Sequence, residues 1–300
     1  MTAFILRRLA HAALVLLVVC TVTFGIVHAA PGGPAVLADP KLSVVERRAI
    51  ESRLGLNESL PRQYLRWLTN LASGDLGESF SYQTANISTV AARLPNTVIL
   101  VGSALLLSIL VALPLAAVCA ARPNGWLDRT VSAATFATLA VPAFWLGILL
   151  ILLFAVRWHL LPAGGATTVG GGGSLGDRAR HLLLPMLVLA SAGTAELLRY
   201  ARSSARTVYA LPLVRTARAK GASESRVRWR HVMRNALLPI VTLLGLQLPR
   251  LVGGAAITET VFSWPGMGRL GIEAALARDY PLVMAITLLV SGGVLLASII

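Results

Sequence analysis

The chain has 300 residues, of which 56% are hydrophobic and 13% are charged, with a formal net charge of +14 and a mean hydropathy of +0.72. Soluble domains carry about a quarter of charged residues, so this composition excludes an ordinary soluble domain and indicates a membrane protein. The basic residues lie between apolar runs and not on one soluble face, which excludes a typical nucleic-acid-binding protein and indicates a cytoplasmic bias of positive charge.

Six apolar runs predict an all-α membrane protein with six transmembrane helices, because roughly 20 apolar residues cross a bilayer core. The first run follows Arg7 and Arg8, and a signal peptide ending near Ala29 is the competing interpretation. Its length exceeds the usual signal-peptide core, which favours a retained helix. The runs cover residues 9–30, 97–120, 131–156, 182–198, 237–258 and 282–300, with a predicted kink at Pro114 and a predicted break at Pro142.

The polar segments between the runs predict the orientation. The turn 122–129 and the segment 199–235 are basic, the latter with ten Lys or Arg against the single Glu224. Both lie on the same side as the N-terminus if every run crosses, so that side is predicted to be cytoplasmic. The chain therefore divides into an N-terminus with the first helix (1–30), an extracytoplasmic helical insertion (31–95) and a five-helix core (96–300).

The cytoplasmic segment of the core, residues 201–236, carries signals for two helices joined by a tight turn. Pro212 suits a first helical turn, and Gly221 suits the left-handed conformation that ends a helix. Ser223 is placed to cap a second helix, with Glu224 in its favourable first turn. A rigid docking element for a partner is one interpretation, and a basic loop resting on anionic membrane lipid is the other.

The stretch from Val214 to Leu248 resembles the cytoplasmic loop of the dipeptide/oligopeptide/nickel ABC-transporter permease family. The family glycine falls on Gly221, while Arg215, Thr216 and Ala217 stand where binding-protein-dependent permeases generally have Glu-Ala-Ala. Residues 259–269, 278–281 and 74–80 also resemble family signatures. The resemblance implies that the following residues couple the chain to an ATPase: Arg215, Arg218, Ala219, Lys220, Gly221, Ala222, Ser223 and Glu224.

The same resemblance implies a type I importer in which this chain is the first permease of a pair in a bacterial cell membrane. Its partners would be a homologous second permease, two ATP-binding cassette ATPases that bind ATP and Mg²⁺, and an extracytoplasmic solute-binding protein. The chain itself is expected to be no enzyme and to hold no cofactor or metal, because neither lysine fits a phosphate-binding loop and no histidines or cysteines have ligand spacing.

Four ionisable residues remain as candidates for the pathway or the outer loop. Arg250 lies within the fifth run, where it either snorkels outward or faces the pathway. Glu259, Arg269 and Asp279 fall in the outer loop, where ordinary solvation is expected for each, although the resemblance suggests contact with the solute-binding protein. A proton-coupled secondary transporter is the main alternative, but no mid-span carboxylate supports it. The cargo stays open between di- or oligopeptides, glutathione and a nickel chelate.

Overall fold

The structure is a computed structural model that describes residues 2–31, 33–37, 40, 42–170 and 173–299, without the side chains of 2–5, 9, 242–243, 246–254 and 296–299. Within those ranges every regular element is a helix. The helices are α1 (Thr2–Ala29), α2 (Val44–Arg53), α3 (Leu60–Ala72), α4 (Asn86–Ala121), α5 (Trp126–Ala140), α6 (Ala143–Leu150), α7 (Leu175–Tyr209), α8 (Pro212–Ala219), α9 (Glu224–Arg226), α10 (Arg234–Val261), α11 (Met267–Leu276) and α12 (Tyr280–Ile299). Two π-helical stretches, Ile151–Arg157 and Val227–Met233, extend α6 and join α9 to α10.

Among the described residues, three helices are long and apolar enough to cross a membrane: Leu6–Ala29, Asn86–Ala121 and Leu175–Tyr209. The pair α5 and α6 could supply a fourth crossing, and α12 contains a shorter apolar helix, Tyr280–Leu295. The predicted all-α membrane fold is therefore confirmed as a chain of several apolar helices, whereas the count of six crossings stays a prediction.

The predicted break at Pro142 is confirmed, and it is much larger than a kink. The axes of α5 and α6 differ by 99°. Val141 has an extended backbone (φ −87°, ψ 123°), as expected for a residue before proline, where the α conformation is disfavoured. The third apolar run is thus not one straight helix.

Two helices are longer than the apolar runs that predicted them. α7 covers 175–209 where the apolar run covered 182–198, and α4 begins at Asn86, so residues 86–95 of the predicted insertion are its first turns. The apolar runs marked only the part of each helix that suits lipid. Polar turns continue a helix wherever a cap or neighbouring helix supports them, as Ser174 does for α7 by accepting the backbone N–H of Asp177 (3.2 Å).

The described chain divides into two compact units, which are considered separately. The first, Met1–Asn96 with Gly266–Ile300, packs α1 and α11 against α12. Its buried core contains Val90, Met267, Leu270, Ala274, Leu282 and Ile286. The predicted helical character of the 39–95 segment is confirmed by α2 and α3. Ser43 and Glu46 form a reciprocal capping box at the start of α2.

The second unit, Thr97–Pro265, is organised around α7, which packs against α5, α6 and α10. Small residues allow this close packing, since Ala112, Ala116 and Ala201 are fully buried beside Leu197 and Ile240. This unit contains the segment from α7 to α10 that the sequence singled out for function.

Candidate functional site

The helix α8 has the boundaries that its sequence predicts. Leu211 has an extended backbone, and Pro212 occupies the first helical turn. At the other end Gly221 has φ +79°, and the N–H groups of Gly221 and Ala222 donate to the carbonyl oxygens of Arg218 (2.9 Å) and Ala217 (3.1 Å). This is the Schellman arrangement that ends a helix with a left-handed residue.

The second helix begins immediately after this turn, as predicted. The Ser223 hydroxyl accepts the backbone N–H of Arg226 (3.4 Å), and Glu224 lies in the first turn. The Arg218 guanidinium spans the turn and donates to both Glu224 carboxylate oxygens, from Nε (2.7 Å) and from Nη2 (3.0 Å). That hydrogen bonding lowers the pKa of Glu224 and raises the pKa of Arg218. The two helices are thereby connected across Gly221.

The exposed surface of this element carries nearly all of its predicted coupling residues. Ala222 is half-buried, whereas the other members are exposed: Arg215, Arg218, Ala219, Lys220, Gly221, Ser223 and Glu224. We call α8, the Gly221 turn and α9 the coupling segment (residues 211–226), after the role that the sequence predicts for it. It presents an excess of positive charge to the solvent.

The opposite face of the coupling segment is packed on three long helices. Val214 is fully buried and Ala217 is 8% exposed, and Val227, the residue directly after the segment, is fully buried as well. They join a cluster formed by Ala117 and Ala120 of α4, Ala205 and Val208 of α7, and Val232, Met233 and Ala236 that follow α9. Burying one valine side chain stabilises a fold by about 1.5–3 kcal/mol. The segment is therefore a fixed part of the helical unit.

The second predicted helix continues into the fifth apolar run. Helical turns run without a break from Glu224 through the π-helical stretch into α10, which contains the predicted run 237–258. The Ser204 hydroxyl of α7 also donates to the carbonyl oxygen of Ala236 (3.0 Å). The Gly221 turn and α10 are therefore joined by uninterrupted helical turns.

The expectation of ordinary solvation is wrong for two outer-loop residues. In the second unit Glu259 is fully buried and accepts the Thr97 hydroxyl (2.6 Å). In the first unit Asp279 is fully buried and accepts the Ser79 hydroxyl (2.5 Å) and the Ser81 backbone N–H (2.9 Å). Buried carboxylates are normally hydrogen-bonded, and these two accept donors from α4 (Thr97) and from the loop before it (Ser79 and Ser81).

The other two candidates have different outcomes. Arg269 is partly exposed and pairs with Glu273 one helical turn away on α11 (2.7 Å). Arg250 lies in α10, but its side chain falls outside the described residues, so its pathway role stays a prediction.

Asp128 is a further ionisable residue of note that was not among the candidates predicted from the sequence. It is a buried carboxylate in the predicted basic turn 122–129. A lone acidic residue among arginines was its only sequence signal.

Comparison with known proteins identifies the family. Residues 112–300 match the profile of the binding-protein-dependent transport system inner membrane component, and residues 1–101 match the N-terminal profile of such membrane components. The oligopeptide transport system permease protein AppB of Bacillus subtilis (strain 168) is 40% identical over 96% of this chain and 92% of its own length.

Two further relatives cover almost the whole chain. The glutathione transport system permease protein GsiC of Pectobacterium atrosepticum is 37% identical over 97% of this chain and 92% of its own. The dipeptide transport system permease protein DppB of Escherichia coli (strain K12) is 32% identical over 100% of this chain and 95% of its own. With its apolar helices and both profile matches, the chain belongs to the family of multi-pass inner membrane components of binding-protein-dependent transport systems.

Proposed function

We propose that this chain forms half of the translocation pathway of an ATP-driven importer for di- or oligopeptides delivered by a solute-binding protein. As a membrane component of such a system the chain is a permease subunit, and ATP hydrolysis belongs to separate subunits. Relatives named for oligopeptide and dipeptide transport support a peptide cargo. A relative named for glutathione transport keeps that peptide as the second candidate cargo.

The observation that carries the proposal is the two-sided coupling segment. Its exposed side carries Arg215, Arg218 and Lys220, and its apolar side is fixed on α4, α7 and the start of α10. A site for anionic lipid needs positive charge but no fixed geometry. A fixed helical hairpin continuous with a long apolar helix suits a partner that delivers a mechanical displacement. The partner is an ATP-binding cassette ATPase, which binds ATP and Mg²⁺.

The proposed arrangement includes six crossings with the N-terminus in the cytoplasm of a bacterial cell. The basic turn 122–129 and the coupling segment lie on one side, where positive charge is retained. The region between α1 and α4 and the outer loop with Arg269 face the solute-binding protein. A second, homologous permease completes the pathway, and two ATPases drive the pair.

The test is co-purification from membranes with an affinity tag on this chain. The wild type is expected to bring down the ATPase and a second permease. Lys220→Glu reverses a charge on the exposed turn, and we expect it to reduce ATPase recovery by about tenfold, a typical size for losing charge complementarity at an interface. Arg62→Glu, an equal charge reversal on exposed α3, is the control and should leave recovery unchanged.

Two results would contradict the proposal. Co-purification of the wild type without any ATPase would remove the importer function. Binding of Lys220→Glu protein to the ATPase at wild-type level, together with weaker binding to anionic vesicles, would assign the segment to lipid.

A competition experiment separates the two candidate cargoes. Uptake of a labelled dipeptide is measured in the presence of unlabelled dipeptides or of glutathione.

A further inference from the structure

A buried carboxylate and two partly exposed arginines join the start of α5 to the last turns of α7. Asp128 is 4% exposed. One of its carboxylate oxygens accepts Nη1 of Arg202 (2.9 Å), and the other accepts Nη2 of Arg206 (2.5 Å) and the backbone N–H of Asn124 (2.9 Å). Arg202 also donates to the Ser132 hydroxyl one turn further along α5. The carboxylate thus holds two helices and the turn before α5 together.

The position of this cluster on α7 relates it to the coupling segment. Ala201, Ala205 and Val208 lie on the α7 face that packs into the buried clusters below α8 and α10. Successive residues of an α-helix are rotated by about 100° around its axis. Arg202 and Arg206 therefore lie roughly 110° around the axis of α7 from the face that Ala201, Ala205 and Val208 form. The end of α7 is therefore held on one side by apolar contact with the coupling segment and on another by Asp128.

The part of α5 that follows Asp128 borders a cleft. α5 lines a cleft of about 390 Å³ together with α4 and α7, and hydroxyl side chains of Thr135, Thr138, Ser191 and Thr194 contribute to its wall. Beyond this wall α5 meets the 99° bend into α6. A shift of α5 relative to α7 changes the width of the cleft.

An ion pair with a buried carboxylate adds little net stability compared with well-packed apolar side chains, and its best-attested role is to fix which faces of two helices meet. Apolar contact allows sliding between α5 and α7, whereas the two guanidinium groups on one carboxylate define a single register. Motion of the end of α7 then moves α5 with it.

We propose that Asp128 is a positioning residue that transmits displacement of the coupling segment through Arg202 and Arg206 to α5 and the adjoining cleft. The inference rests on the proposed importer function. In this role Asp128 contacts neither the cargo nor the nucleotide. It determines how much cargo is transported for each ATP that is hydrolysed.

The experiment measures uptake and ATP hydrolysis together in the complete importer reconstituted in vesicles. Asp128→Asn removes the charge but keeps an oxygen for the Asn124 N–H. We expect normal ATPase recovery, ATP hydrolysis within about twofold of wild type, and cargo moved per ATP lowered about tenfold, within the usual span of coupling between sites. Asp128→Glu, which keeps the charge, should restore most of the ratio.

Two further variants complete the design. Arg206→Gln removes one of the two cationic partners of Asp128 and serves as the milder variant if Asp128→Asn folds poorly. We expect it to lower the cargo moved per ATP by about threefold. This loss is smaller than that of Asp128→Asn because Arg202 remains. Arg129→Gln removes an exposed positive charge directly beside Asp128 on α5 and should leave the ratio unchanged.

A wild-type ratio in both Asp128→Asn and Arg206→Gln would overturn the inference. So would an equal loss of uptake and hydrolysis in both, because this would reveal a purely structural contact. Failure of the wild-type chain to recruit an ATPase would instead count against the proposed function itself.

Discussion

The coupling segment and the Asp279 junction use ionisable residues in opposite ways. In the coupling segment Arg218 and Glu224 pair in solvent above a buried apolar face. At the junction in the first unit, Asp279 is fully buried and its carboxylate is occupied by Ser79 and Ser81. Exposed charges remain available to a partner, whereas a buried carboxylate already satisfied by its own chain holds loops in place.

The largest predicted effect comes from placing a charge on the apolar side of the coupling segment. Val214→Asp puts an unpaired carboxylate into a fully buried site, at an expected destabilisation of about 3 kcal/mol or more. We expect a lower thermal midpoint of the purified chain in lipid nanodiscs and loss of ATPase recovery. Thr216→Asp, an equal change at an exposed position two residues away, should keep the thermal midpoint near wild type. An equal fall of the midpoint in the two variants would contradict the two-sided description.

The next effect concerns the buried junction. Asp279→Ala leaves the buried Ser79 hydroxyl without its acceptor, and an unsatisfied buried donor costs about 1–3 kcal/mol. The N–H of the exposed Ser81 loses its acceptor as well but can bond to water. We expect a clearly lower thermal midpoint with unchanged ATPase recovery, since the junction lies in the other unit. Asp75→Ala removes an exposed carboxylate that accepts the Gly77 N–H (2.8 Å) and should shift the midpoint less. A larger shift in Asp75→Ala would mean that Asp279 does not hold the loop.

The smallest effect tests the exposed pair by pH. Arg218 lowers the pKa of Glu224 below its ordinary value near 4.5, so the pair contributes stability above that value and loses it as the pH falls through the lowered pKa. The contribution should be fully present from pH 7 to about pH 5, begin to decline near pH 4.5 and continue to fall at lower pH. The difference in thermal midpoint between wild type and Glu224→Gln, measured from pH 7 to pH 3.5, should shrink at the acidic end. A constant difference would remove the pair as its source.

Local sequence signals predicted the coupling segment well and the buried contacts poorly. Pro212, Gly221 and Ser223 act within a few residues of themselves, so their positions alone defined α8 and the turn. The pairing of Glu259 with Thr97 and of Asp128 with Arg202 joins residues distant in the chain, and no local pattern encodes it. The bend at Pro142 lies between these cases, because proline predicts a break while the neighbouring helices determine its angle.

The central claim is that the coupling segment contacts an ATPase in the cytoplasm. Cysteine cross-linking tests it directly, since the native Cys20 and Cys119 are buried and Lys220→Cys adds an exposed thiol. In membrane vesicles of known orientation, we predict that a short thiol cross-linker joins this thiol to the ATPase and that polar maleimides label it from the cytoplasmic side alone. Labelling from the opposite side, or an assembled importer in which the thiol forms no cross-link to the ATPase, would contradict the account.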